Sequence, residues 1–174
     1  MTGTTPRVRI PLAASLAVAL AVLAAGCAGS PSSSSHADAS APVSSSGPGR
    51  IHVDVADVDM TITDAVAHLD RSGDGSLSME VRNNDGVPEH LGMVATPVGG
   101  RGELVGGKSA GGDGSLSTAG ILLLSGTTVT FGSGNGPRVL LHRVHGVTAA
   151  HTLPVSLQFG IAGLVRFEVR VASS

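Results

Sequence analysis

Aromatic side chains are almost missing from this sequence: three Phe, no Trp and no Tyr make up 2% of 174 residues. Single-stranded nucleic acid is bound on aromatic stacking faces set in a basic groove, and neither ingredient is present. Charge is also scarce, at 14% of residues, and its balance is slightly acidic, with a formal net charge of -2. If Arg7 and Arg9 leave with an export signal, 9 basic residues stand against 13 acidic ones and the mature charge is about -4. A nucleic-acid partner held by charge is excluded. The only cysteine is Cys27, which rules out an internal disulfide and any zinc site built from several thiolates. Gly107-Lys108-Ser109-Ala110-Gly111 has the Gly-x-Ser-x-Gly spacing but lies in a Gly-rich loop that opens no helix, so it does not form a nucleophile elbow. Residues 102–109 do spell GxxxxGK[ST], but they run from a strand into the Gly-rich stretch 106–114, which opens no helix, so no phosphate-cradling loop of that kind is expected. No catalytic residues and no small-molecule substrate are therefore expected, and the chain reads as something other than an enzyme.

What is present begins with the N-terminus. Arg7 and Arg9 precede a weakly polar to apolar stretch, residues 10–25, which is shorter than the roughly 20 residues a bilayer span requires. Small residues follow, and Leu23-Ala24-Ala25-Gly26-Cys27 resembles a bacterial lipobox. The likeness implies cleavage before Cys27 and its lipidation, with two or three acyl chains giving stable attachment where one gives only marginal binding. A membrane-spanning anchor with an incidental cysteine is the other reading. Residues 28–50, rich in Ser, Pro, Gly and Ala with almost no large apolar side chain, cannot repay the entropy of ordering. The expected organisation is a signal peptide over 1–26, a lipidated tether over 27–50 and a folded domain over 51–174. That places the domain at the extracytoplasmic face of the cell membrane, anchored through Cys27.

From Ile51 onward apolar residues recur with period two, the signature of half-buried strands. Ile51, Val53 and Val55 alternate with polar or small neighbours, as do Val58, Met60 and Ile62, and Leu77, Met79 and Val81. Asn83-Asn84-Asp85-Gly86 reads as a turn. Strands follow over 91–95, 101–105, 121–124, 127–131 and 138–145, and a hairpin over 153–159 and 164–171 closes the chain. The only helix-friendly segment is 64–71. Pro88, Pro97 and Pro154 are expected to blunt edge strands. Met60 and Met79 sit at inward positions as core filler, and Asp54, Asp57 and Asp59 mark a solvated edge, lacking the Gly and terminal Glu of an EF-hand loop. The fold class is all-β, a cupredoxin-like Greek-key β-sandwich of about eight or nine short strands.

Several segments in order, Leu77-Ser78-Met79-Glu80-Val81-Arg82-Asn83, His90-Leu91 to Pro97, Arg101-Gly102-Glu103-Leu104, and Leu153-Pro154-Val155-Ser156-Leu157-Gln158-Phe159 running into Val165-Arg166-Phe167-Glu168-Val169, resemble the PCu(A)C copper chaperones. The resemblance implies an extracytoplasmic domain that holds Cu(I) between two His and two Met and delivers it to a copper-acceptor protein. Imidazole and soft thioether donors suit Cu(I). Aligned by those segments, the ligand positions fall on Val105, on Leu116 or Thr118, and on Arg138 and Leu140. None of these is a donor. The candidate donors in this chain are instead His142 and His145, in the strand after the long turn, and His90 with Met93. A spacing of three puts two side chains on opposite faces of a regular strand, so either pair converges only if its strand is irregular. Two functions remain: a copper-handling lipoprotein with Cu(I) as cargo, or a non-metal β-sandwich lipoprotein acting as a protein-interaction module of the cell envelope.

Overall fold

The structure, a computed structural model, describes residues 43–55, 57–108 and 111–173. Cys27, His36, the expected signal peptide and most of the expected tether lie outside the described residues. Twelve strands follow one another: β1 (Val43–Gly47), β2 (Arg50–Val55), β3 (Val58–Leu69), β4 (Gly75–Asn83), β5 (Glu89–Thr96), β6 (Gly100–Val105), β7 (Leu116–Ser117), β8 (Gly120–Leu123), β9 (Thr128–Phe131), β10 (Arg138–Leu141), β11 (Thr152–Phe159) and β12 (Leu164–Ser173). A single 3-10 turn, Pro97–Gly99, joins β5 to β6.

The all-β expectation holds, and the sheet closes on itself. Hydrogen bonding runs β3-β12-β11-β5-β6-β10-β4, and β4 pairs back to β3. β1 and β2 extend the ladder beyond β3, β9 lies on β4, β8 lies on β5, and β7 lies on β8. Every pair is antiparallel except β12 with β3, where Arg170 faces Val66 and Ser173 faces Leu69. A closed ladder leaves fewer unpaired edges than two separate sheets. Its interior is filled by the residues that the period-two reading turned inward. Ile51, Val53, Met60, Ile62, Leu77, Met79, Val81, Leu153, Val155, Leu157, Val165 and Val169 are all buried, joined by Phe131 and Phe159. Asp54, Asp57 and Asp59 are exposed, as their reading as a solvated edge requires.

Four expectations need correction. The segment 64–71, read as helix-friendly, continues strand β3 as far as Leu69. Ala65, Ala67 and Leu69 are buried alternately, because a sheet can use small apolar residues at every second place where a surface helix would bury one stripe. A register shift between Thr63 and Val66, with Asp64 at φ 52°, resets that alternation. The folded part starts earlier than residue 51: β1 pairs Val43 with Val53 and Ser45 with Ile51, so the last part of the stretch read as tether is strand. Pro154 is not on an edge strand. β11 lies between β12 and β5, but its pairing with β5 begins at Ser156, so the missing N–H falls where β11 has a neighbour on one side only. Finally, β10 stops at Leu141 and does not reach His145.

Candidate metal and ligand sites

The early end of β10 decides where His142 and His145 go. Arg143 turns out of the strand at φ 46°. Its backbone N–H donates to Asp74 Oδ1 at 2.7 Å, and the Val144 N–H donates to the Gly73 carbonyl at 2.8 Å. The chain thus docks on the turn between β3 and β4, with Val144 buried as the plug. His142 is left exposed between two carboxylates, its Nδ1 3.9 Å from Asp74 Oδ1 and its Nε2 3.5 Å from Glu103 Oε2. Those carboxylates flank opposite nitrogens of one ring, so they cannot share a metal with it. His145 lies beyond buried Val144 and lines a cavity of about 370 Å³ with Asp70, Arg71, Val147 and His151. The structure does not gather His142 and His145 into one donor set. Among the described residues no group of three or more His, Cys, Asp and Glu side chains is placed to hold a metal ion.

His90 and Met93 fare differently. Along β5 the buried residues are Glu89, Leu91, Val94 and Thr96, so the inward phase slips by one in the middle of the strand. The slip is a β-bulge: Leu91 faces Phe159 and Met93 faces Gln158, leaving Gly92 as the extra residue. A spacing of three, which would split the pair in a regular strand, therefore places His90 and Met93 on the same outer face, both half-buried. Gly92 makes the bulge possible beside β8, because a Cβ there would come within 3.3 Å of the Ala119 carbonyl oxygen.

One polar residue in this region gave no signal in the sequence. Glu89 is 1% exposed, and among the described residues it has no cation partner. Instead its Oε1 accepts the N–H groups of His90 at 2.6 Å and Gly160 at 2.9 Å, while Oε2 accepts those of Ile161 at 2.8 Å and Ala162 at 2.9 Å. A buried charge is tolerable only with such compensation. The carboxylate clasps the turn between β11 and β12 to the start of β5, and it fixes the backbone of His90.

The remaining ligand positions implied by the sequence resemblance lie on β6 and β10. Val105 and Arg138 are direct partners in that antiparallel pair, and Leu140 faces Glu103. These positions do meet in space, but they present an alkyl chain, a guanidinium and a second alkyl chain. Leu116 is half-exposed on the short strand β7, and Thr118 is exposed beyond it. Beside Arg138 opens a cavity of about 330 Å³ lined by Gly106, Lys108, Gly134, Asn135, Gly136 and Arg138. The place where soft donors were expected has become cationic.

No protein-family model matches the chain, and no curated protein does. Solved structures do. The chain is similar to the copper-bound PCuAC domain from PmoF2 at 20% identity and a TM-score of 0.51, over 71% of this chain and 98% of that one. It is similar to the apo PCuAC domain from PmoF1 at 18% identity and a TM-score of 0.55, over 71% and 99%. The apo PmoF2 domain matches at 18% identity and 0.51, over 70% and 94%. At this identity the likeness carries architecture and no ligand set; the folded part of this chain has the PCuAC fold.

Proposed function

We propose that this chain is a lipid-anchored, extracytoplasmic copper-handling module that takes Cu(I) as cargo and passes it to an acceptor protein. The reading rests on the PCuAC fold, shared with a domain whose structure holds copper, and on one local observation. The bulge at Gly92 turns an imidazole, His90, and a thioether, Met93, to the same outer face of β5. That is the donor chemistry Cu(I) favours, and half-burial leaves the pair open to a partner that takes the ion away. Cys27, lipidated, would hold the module at the membrane by its tether. A transfer protein has no bond to make or break in its cargo beyond ligand exchange, so no catalytic residue is required.

A specific observation favours a second reading, a protein-interaction module of the envelope that keeps the fold without the metal. Val105, Arg138 and Leu140 come together at the β6–β10 pair with no donor among them. A Cu(I) competition titration against a chelator, on the full chain in mild detergent, separates the two. One-to-one binding that is lost in His90→Ala, Met93→Ala and kept in His142→Ala, His145→Ala supports the copper reading as drawn. Binding lost only in the second double variant moves the donor set to the loop after β10. No binding in either form leaves the interaction module, to be pursued by identifying what the anchored chain cross-links to.

A further inference from the structure

We propose that the cavity beside Arg138 is a binding site for an oxyanion of the phosphate class, independent of any copper bound elsewhere. Its lining combines Lys108, the chain's single lysine, with Arg138, Asn135 and three glycines. No carboxylate lines it, although acidic residues outnumber basic ones in the chain. Among the described residues neither Lys108 nor Arg138 forms an ion pair, whereas acidic side chains elsewhere take up His52 and His142. Two unneutralised cations on one small cavity raise its potential and attract a counter-ion.

The cavity is also built, and its two cations are not a chance meeting of surface side chains. The Lys108 N–H donates to the Asn135 carbonyl at 3.2 Å and ties the loop after β6 to the turn before β10. Within that turn Gly132 N–H donates to the Pro137 carbonyl at 2.9 Å and Gly136 N–H to the Ser133 carbonyl at 3.0 Å. Glycine is required at the seam: a Cβ on Gly107 would come within 3.3 Å of both the Asn135 and Gly114 carbonyl oxygens, and one on Gly136 within 2.5 Å of the Thr130 carbonyl oxygen. Arg138 projects from β10, locked between β4 and β6, so its guanidinium starts from a fixed backbone. A planar fork beside a compact ammonium matches a doubly charged tetrahedral oxyanion better than a single carboxylate, which one cation satisfies. At about 330 Å³ the cavity lies at the lower end of small-ligand pockets, with room for a phosphate group carrying a small substituent.

Equilibrium dialysis of labelled inorganic phosphate against the full chain in nonionic detergent tests this, with glycerol phosphate as competitor and Arg138→Gln and Lys108→Gln as variants. Saturable binding of one phosphate per chain is expected, weakened about tenfold or more in Arg138→Gln, weakened by raised chloride and displaced by glycerol phosphate. Both variants are exposed positions outside the core, so unchanged thermal unfolding confirms that the fold survives. Absence of saturable binding up to about 10 mM, or equal binding by wild type and both variants, would overturn the proposal. The Cu(I) titration reads out other residues, none of which lines this cavity, so failure of one leaves the other standing.

Discussion

Replacing Glu89 should injure this protein more than any other single polar substitution. The carboxylate is buried and accepts four backbone N–H groups, two on each oxygen. Gly160 N–H has a second acceptor in the His90 carbonyl at 3.0 Å, and Ile161 is 47% exposed, so its amide can find water. Ala162, at 5% exposure, cannot. Glu89→Ala therefore strands the Ala162 amide fully and those of half-buried His90 and of Gly160 and Ile161 in part, at about 1–3 kcal/mol for each orphaned buried donor, and removes buried side-chain volume as well. The total comes to about 3–5 kcal/mol, a large share of the 5–15 kcal/mol that holds a domain of this size. Glu89→Gln keeps one acceptor oxygen but turns an NH₂ toward two N–H groups, and should cost about 2 kcal/mol. Urea unfolding gives both values if the slope is unchanged. Hydrogen exchange locates the effect, with Ile161 and Ala162 amides losing protection first. An alanine variant within about 0.5 kcal/mol of wild type, or one that leaves exchange at residues 160–162 untouched, would refute the reasoning.

Other perturbations follow from the same geometry. Gly75→Ala directs a Cβ into the backbone carbonyl of His68 across the β3–β4 pair, and the strands must part; a loss of about 3 kcal/mol is expected in thermal unfolding. Val98 is 83% exposed at φ 61°, a conformation costly for a β-branched residue, so Val98→Gly should gain about 0.5–1 kcal/mol by the same assay. Asp70 has its carboxyl lowered from 3.8, chiefly by the Ser72 hydroxyl and then by the Asp74 backbone N–H. Its contribution to stability is present above 3.8 and is lost as pH falls through the lower folded value. A carboxyl-carbon NMR titration should show the depressed midpoint, and Ser72→Ala should raise it.

The strands were legible where both faces behave simply. β4, β12 and, from Leu153 onward, β11 follow alternation because one face meets the core and the other meets water, and Met60 and Met79 fall inside as their phase requires. Legibility failed where backbone conformation outweighs side-chain pattern. Nothing in Leu140-Leu141-His142-Arg143-Val144 announces that Arg143 turns left-handed, since its apolar period continues across the break and is satisfied by Val144 docking on another turn. The bulge at Gly92 was equally hidden, yet it alone brings His90 and Met93 to one face. Glu89 gave no signal because three of its four partners are backbone amides about seventy residues away, and Lys108 and Arg138 meet only through the β6–β10 pairing and the loop that follows β6.

The parallel pairing of β12 with β3 sets the order in which this molecule can be completed. Val66 and Arg170, partners across that pair, are about a hundred residues apart, so the closing seam is also among the most distant contacts in the chain. A chain emerging from a ribosome or a translocation pore can form the β3–β4 and β5–β6 hairpins as each appears, but its barrel stays open until the last strand is free. Closure then costs the entropy of a very long loop, and topologies dominated by such distant pairings fold slowly. Removing residues 170–174, four of which pair with β3, would leave most of the core residues in place and still deprive the barrel of its latch.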